Sequence, residues 1–403
     1  MSMTTVRKHM TRRTFLIGAG AVAGASLLPA AWSALRSAPF FTRPLSLKAG
    51  LLIPKAGSYP ALAERINAGL QAAHHPALEA LSLVPAAIDV GYGAAAQQSQ
   101  KLLTEGEVDL VIAFVNSQVA DRLGPTFESQ RRPLIVLDSG ANVVRPAQRS
   151  PYVFFNSLSH WQAGYAAAHH LVEQHGPRVF IATGLFDSGY DSLNAVQQGI
   201  SAAGGEVVDT FVTHIDPRRP GVADAIAAIR ATRPDSVYAL YAGAPAVDFV
   251  QAYLDAGLGS ALPMTGSGFL IEGSAQDALG ARAAGITTTL GWAADPTHPV
   301  EVARADAFAA LGYDTVQFIG AAVEAVGEPQ RWGEQDLALT VTGARNGLTF
   351  DPTDQSLTGP IFAREARPVH GTLSNLAIET LPPPLNPVVP ETSAGWLNPY
   401  LCG

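Results

Sequence analysis

From Leu47 onward the chain alternates short apolar runs with longer stretches whose apolar residues recur at helical spacing. That alternation restricts it to the α/β class, because buried four- to six-residue strands interleaved with helices predict parallel sheets covered on both faces. Ala49–Pro54 reads as a strand, and Tyr59–Ala73 as a helix with Leu62, Ile66 and Leu70 on one face. A short strand at Ile88–Val90, a helix at Ala94–Leu103 and a strand at Asp109–Ala113 follow, then a helix at Gln118–Gln130 and the strand Pro133–Leu137. A second round starts after Pro151. It runs through a helix at Trp161–Gln174, a strand at Arg178–Ala182, a helix at Ser192–Ala203 and a strand at Val207–Val212. A helix at Val222–Thr232, a strand at Ser236–Leu240, a helix at Ala246–Ala256 and a strand at Ile286–Leu290 complete it. Two rounds of similar plan in 403 residues, 47% of them hydrophobic, predict two doubly wound lobes. Beyond them, Val300–Leu311 and Asp314–Val326 read as two helices parted by Gly312-Tyr313. Short strand candidates after Gly347 and a proline-rich tail from Leu381 close the chain.

The N-terminus carries a different signal. Thr11-Arg12-Arg13-Thr14-Phe15-Leu16 precedes an uncharged apolar stretch from Ile17 to Pro29. Paired arginines before a modest apolar run read as a twin-arginine export signal, with small residues at Ala30–Ala34 for cleavage. The run is shorter than the ~20 residues a bilayer-spanning helix needs. Residues 1–33 are therefore expected to be a cleaved signal peptide, the protein meeting the Tat translocon on its way to the periplasm. Gly18–Gly24 looks like a dinucleotide loop, but no strand precedes it, so no cofactor is expected there. Net charge is −8, and loss of four basic side chains with the signal takes it to about −12. An acidic chain without a basic stripe argues against nucleic acid as a partner. The single cysteine, Cys402, excludes internal disulfides and cysteine metal sites. The histidines at 74, 75, 169, 170 and 175 show no metal-binding spacing and read as surface residues. Gly266-Ser267-Gly268 is no nucleophile elbow, since Thr265 stands where the first glycine belongs. No catalytic or metal site emerges.

Several segments, in order, resemble periplasmic solute-binding proteins of the leucine/isoleucine/valine-binding family, the receptors of ABC importers. They are Gly50–Gly57, Val108–Ser117, Pro133–Asn142, Tyr152–Tyr165, Arg178–Gly204, Pro234–Tyr238, Gly312-Tyr313-Asp314 and Phe350-Asp351. The resemblance covers about Lys48 to Thr380. It implies a type I periplasmic binding fold: two doubly wound α/β lobes joined by three crossovers. Residues 48–155 with 293–350 would form one lobe, and 156–292 with 351–380 the other, leaving 381–403 as the tail. A small-molecule ligand would be held in the interlobe cleft by hinge closure, with an ABC permease as partner and the receptor monomeric. No cofactor is implied.

Candidate ligand contacts lie at the carboxyl ends of strands, where open α/β sheets bind ligands. Ser117 reads as a ligand hydroxyl or as a plain helix N-cap. Ser139, Gly140 and Ala141, with Asn142, read as an anion-approaching loop or a simple turn. Tyr59, Asp187, Ser188, Tyr190, Tyr241 and Trp292 occupy similar loops, the aromatics being either cleft walls or core. In amino-acid-binding members an acidic residue after the strand around Pro263–Gly268 pairs with the ligand ammonium. Here Gly268 stands at that place, with Phe269 beside it and Glu272 a few residues on. Either Glu272 or Asp187 substitutes, or the ligand is not an α-amino acid. A regulatory or sensory protein on the same fold, and an exported cofactor enzyme, are the rival readings.

Overall fold

The computed structural model describes residues 43–55, 61–89, 91–141, 149–189, 191–297, 306–369 and 371–382. The signal segment and most of the proline-rich tail lie outside them. The first sheet is built from β1 (Leu45–Pro54), β2 (Leu78–Ile88), β3 (Leu110–Phe114), β4 (Leu134–Asp138) and β5 (Val153–Ser157). Between them run α1 (Leu62–Ala72), α2 (Tyr92–Thr104) and α3 (Ser117–Gln130). The chain then enters a second sheet through α4 (His160–His175), β6 (Arg178–Gly184), α5 (Asp191–Ala202), β7 (Glu206–Thr213), α6 (Val222–Thr232) and β8 (Ser236–Leu240). It continues through α7 (Gly243–Asp255), β9 (Met264–Ser267), α8 (Ser274–Leu279) and β10 (Thr287–Leu290). It returns with α9 (Ala307–Val326), β11 (Leu339–Val341), β12 (Leu348–Asp351) and β13 (Ser356–Thr358), and ends in the hairpin β14 (Ile361–Val369) and β15 (Thr372–Leu381).

The strand orders are β11-β12-β13-β5-β4-β3-β1-β2 and β15-β14-β10-β9-β8-β6-β7. The chain passes between the sheets three times, after β5, after β10 and after β13, as expected for two doubly wound lobes. The last passage comes between Thr358 and Ile361 rather than at Asp351, because β13 pairs in parallel with β5 and so stays in the first sheet.

Alternation within each strand explains the two-faced cores. Leu110, Ile112, Ile135 and Leu137 pack on one side of the first sheet with Ile66 and Ile319. Val111, Ala113, Leu134 and Val136 pack on the other with Leu102, Leu123 and Phe127. In the second sheet Phe180, Ala182, Val237 and Ala239 face Phe249 and Ile226, while Val179, Ile181 and Leu240 face Leu171 and Val196.

β5 has no counterpart in the sequence expectation, and two further elements differ from it in extent. Instead of a short strand at Ile88–Val90, β2 covers eleven residues. It pairs only with β1, so half of it faces outward and its apolar pattern is broken, and Pro85 is tolerated at this edge. The two helices expected around Gly312 are one helix over Ala307–Val326, its N-terminus capped by the Asp306 carboxylate, which accepts the Phe308 and Ala309 N–H groups at 3.0 Å. Gly312 does not break it. A Cβ there would lie 2.2 Å from the Ile66 carbonyl oxygen, and one at Gly69 would lie 1.9 Å from that of Ala309. The glycines let α1 and α9 meet backbone to backbone.

Candidate functional site

The crossovers bring the carboxyl ends of both sets of strands together. At the end of β3, Asn116 caps α3, its Oδ1 accepting the Val119 N–H at 2.9 Å. Ser117 is the first helical residue and is buried, so its hydroxyl is not occupied in capping the helix.

The loop after β4 serves the first crossover. Gly140 N–H donates to the Asp138 carboxylate at 3.1 Å, and burial pushes that carboxyl up to about 6. His160 N–H donates to the Ser139 carbonyl at 3.1 Å, and Trp161 N–H to that of Gly140 at 2.7 Å. The Ala141 carbonyl accepts from Ser192 N–H at 3.0 Å. Gly140 has φ +73°, and a Cβ would lie 2.3 Å from Ser157 Oγ and 2.7 Å from Ser159 N. Gly140 therefore packs the crossover, and its N–H is not offered to a ligand. The Ser139 side chain is half-exposed, and Ala141 is buried at the loop's end.

In the second lobe Asp187 follows β6. Its surface is half-buried, yet its carboxyl is sufficiently shielded from water that its pKa is pushed up to about 7, while the Ala242 N–H opposes the shift. It lines a recess of about 340 Å³ with Thr213, His214 and Asp248, beside the exposed Phe186 and Ile215. A larger recess of about 570 Å³ lies between α1 and the outer strands β1 and β2, lined mostly by apolar groups.

Four expected contacts are internal instead. Ser188 is fully buried and donates to the Leu185 carbonyl at 2.8 Å, closing its own turn. Tyr241 is fully buried, stacked on Phe249 at 4.6 Å, with its hydroxyl 3.4 Å from Thr213 Oγ1. Burial raises that hydroxyl's pKa. Trp292 packs in the first core, and its carbonyl accepts from Arg364 at 3.1 Å. Glu272 is a buried ion-pair partner of Arg364, 3.1 Å away. Its other donors are Ala307 N–H at 3.0 Å and Asn375 Nδ2 at 3.3 Å. Burial raises the Glu272 carboxyl, and the guanidinium works against that shift. A carboxylate with three donors has little capacity left for an ammonium group. Tyr59, Tyr190 and Asn142 lie outside the described residues.

Phe269 is brought into a chain of rings that sequence reading missed. It stacks on Phe308 of α9, centroids 5.8 Å apart and planes within 16°. Phe308 meets Phe114, at the end of β3, edge-on at 5.8 Å. Phe269 also meets the His160 ring at 5.0 Å and 89°. Phe114 and Phe308 belong to the first lobe, Phe269 and His160 to the second, and the three phenylalanines are each half-buried. The missed ion-pair partner had one legible trace: Arg364 is the first charge after the apolar start of β14, Ile361-Phe-Ala. Among the described residues no group of three or more His, Cys, Asp or Glu is placed to hold a metal, and no helix is long and apolar enough to cross a membrane.

Two doubly wound lobes joined by three crossovers, with strand ends converging at the seam, define the bilobal class of solute-binding proteins. Residues 46–373 match the family model described as periplasmic binding protein. The chain belongs to that family. It is 27% identical over 310 residues to Leu/Ile/Val-binding protein homolog 6 of Brucella melitensis, covering 70% of this chain and 76% of that one. Among solved structures it resembles the solute-binding protein of an ABC transporter from R. palustris in complex with benzoate. That match has 26% identity and a TM-score of 0.68, covering 84% of this chain and 97% of the other. The ABC transporter substrate-binding protein from Sphaerobacter thermophilus shares the fold with a TM-score of 0.73 at 22% identity, covering 84% of this chain and 98% of the other.

Proposed function

We propose that this chain is the exported substrate-binding protein of an ABC importer, closing its lobes on a small carboxylate that carries an apolar ring. The observation that carries the reading is the pairing of Phe269 with Phe308 across the seam, one aromatic face from each lobe. Hinge opening parts those faces, and a planar apolar group fits between them. Saturation of Glu272 by Arg364, Ala307 and Asn375 speaks against an α-amino acid held there. The relative solved with benzoate supports the same choice of ligand. Ser117, at the end of β3, receives the carboxylate, and the half-exposed Ser139 hydroxyl lies on the next strand end. The receptor acts as a periplasmic monomer, delivers its ligand to the permease and performs no chemistry on it.

A second reading, an amino-acid-like or amide ligand, is favoured by one observation. Asp187 lines the recess at the end of β6 and gains a negative charge near neutral pH, where an ammonium group would bind it.

Calorimetry with benzoate, leucine and acetamide separates the readings. Benzoate is expected to bind and to raise the melting temperature with ligand excess, and leucine is not. Binding of leucine alone would transfer the assignment to the Asp187 reading, and no response to any probe would sink the receptor reading. Ser117→Ala is expected to weaken binding roughly ten- to a hundredfold. Export is tested by replacing Arg12 and Arg13 with lysine, which should hold the folded protein in the cytoplasm.

A further inference from the structure

We infer that the stretch Trp396-Leu-Asn-Pro-Tyr-Leu401 of the C-terminal tail covers the recess between α1 and the outer strand β2, an internal partner for the edge of the first lobe. This cover is independent of which ligand the receptor takes.

β2 is the last strand of its sheet and pairs only with β1. Alternation places Leu81, Leu83, Pro85 and Ala87 on the face where α1 packs. Leu81 and Leu83 are half-buried, and Pro85 and Ala87 are exposed. The recess of about 570 Å³ beside them is bordered on the helix side by Ala63, Asn67 and Gln71. An edge strand whose face met only water would carry polar residues at these alternate positions. A row of four apolar side chains along an open recess marks instead a surface on which another group packs.

The tail supplies the matching chemistry. Between Pro382 and Gly403 it carries a single charged side chain, Glu391, and its last part holds Trp396, Leu397, Tyr400 and Leu401. Segments that stay solvated are rich in charge and poor in aromatic residues, so this composition calls for burial. The recess is also within reach. β15 ends at Leu381, paired with Ile361 just after the third passage between the sheets. Four strand spacings separate β5 from β2, about 19 Å. Fifteen residues lead from Leu381 to Trp396, and a proline-rich chain of that length can span roughly 46 Å. Pro85 on the strand and Pro387, Pro390 and Pro399 in the tail lack N–H donors, so side chains rather than an added strand make the contact. The smaller recess at the ends of β6 and β7 is bordered by the Asp187 and Asp248 carboxylates and suits an apolar segment less. An edge covered in this way cannot pair with a second molecule.

Cys402, the only cysteine, provides the handle for a test. Gln71→Cys and Ala87→Cys each place a second thiol at the recess, at exposed positions outside the core, and Glu173→Cys on α4 serves as the control. A short bismaleimide should join Cys402 to position 71 or 87 within one molecule at least about tenfold faster than to position 173, because docking raises the local concentration of the tail. Equal rates at the three positions overturn the inference. Products that link two molecules overturn it as well, and give the recess to a second copy of the chain. Hydrogen exchange repeats the test without added cysteines. Trp396→Ser combined with Leu397→Ser in the full chain should speed exchange in α1 and β2 and leave the rest of the molecule as it was. Unchanged exchange in those two elements, or faster exchange at the ends of β6 and β7 instead, overturns the inference.

Discussion

Two buried arginine–carboxylate pairs stand on either side of the hinge and behave differently. Arg345 pairs with Asp314 and also donates to the Ser157 carbonyl and Asn156 Oδ1. Asp314 in addition accepts the Ala344 N–H, and Asn156 donates to the Leu311 carbonyl at 3.1 Å and to Thr315 Oγ1 at 3.0 Å. All these partners belong to the first lobe. The network is a strut tying β5, α9 and the loop before β12 together. Arg364 and Glu272 belong to the second lobe, but Glu272 takes the N–H of Ala307, on the first-lobe helix α9. This network also leaves Arg364 Nε and Asn375 Oδ1 unpartnered. The contrast is between a closed network, which holds one lobe rigid, and an open one that spans the seam. Hinge movement must remake the second and can leave the first untouched.

Truncating the two arginines should separate the roles. Arg345→Met strands a fully buried aspartate and is expected to cost about 3–5 kcal/mol in chemical denaturation. Arg364→Met should cost less, about 2–3 kcal/mol, because Glu272 keeps two donors and its burial already favours the protonated form. Its loss should shrink as pH falls, since proton uptake removes the stranded charge, whereas a loss growing with acidity would contradict that account. Equal costs at all pH values would erase the distinction between strut and seam.

His160, at the start of α4, sharpens the comparison, because burial, and after it the charge of Arg364, disfavours its protonated form. Its folded pKa is lowered from 6.5 to about 4, so below 6.5 the unfolded chain takes up a proton that the folded chain refuses. Stability is therefore lost as pH falls through that window. The wild type should lose about 1 kcal/mol between pH 7 and 5.5 that His160→Phe does not. Parallel pH profiles would show that the imidazole is not held neutral at the seam. The smallest effect is expected at Asn375→Ala, about 1 kcal/mol or less, because Glu272 retains Arg364 and Ala307. A larger loss, read from the denaturation midpoint, would mean that Asn375 rather than Arg364 organises the network.

Local pattern alone determined the alternation of elements. The bounds of α6 and β8 agree with the sequence reading residue for residue, because a buried strand or an amphipathic helix is written in adjacent side chains. Ser117 and Asp187 were placed at strand ends by the same logic. Only tertiary structure decided the rest. Gly312 looked like a break because glycine is a poor helix former, yet contact with Ile66 made it a requirement of packing. The outer strand β2 was hidden because an edge is half-exposed. Tyr241 and Trp292 stood at strand ends but turned into the core. Glu272 looked free because its partner Arg364 lies 92 residues away. Periodicity is a local signal, and pairing between distant residues, which settles whether a charge is a ligand contact or a structural ion pair, leaves no trace in it.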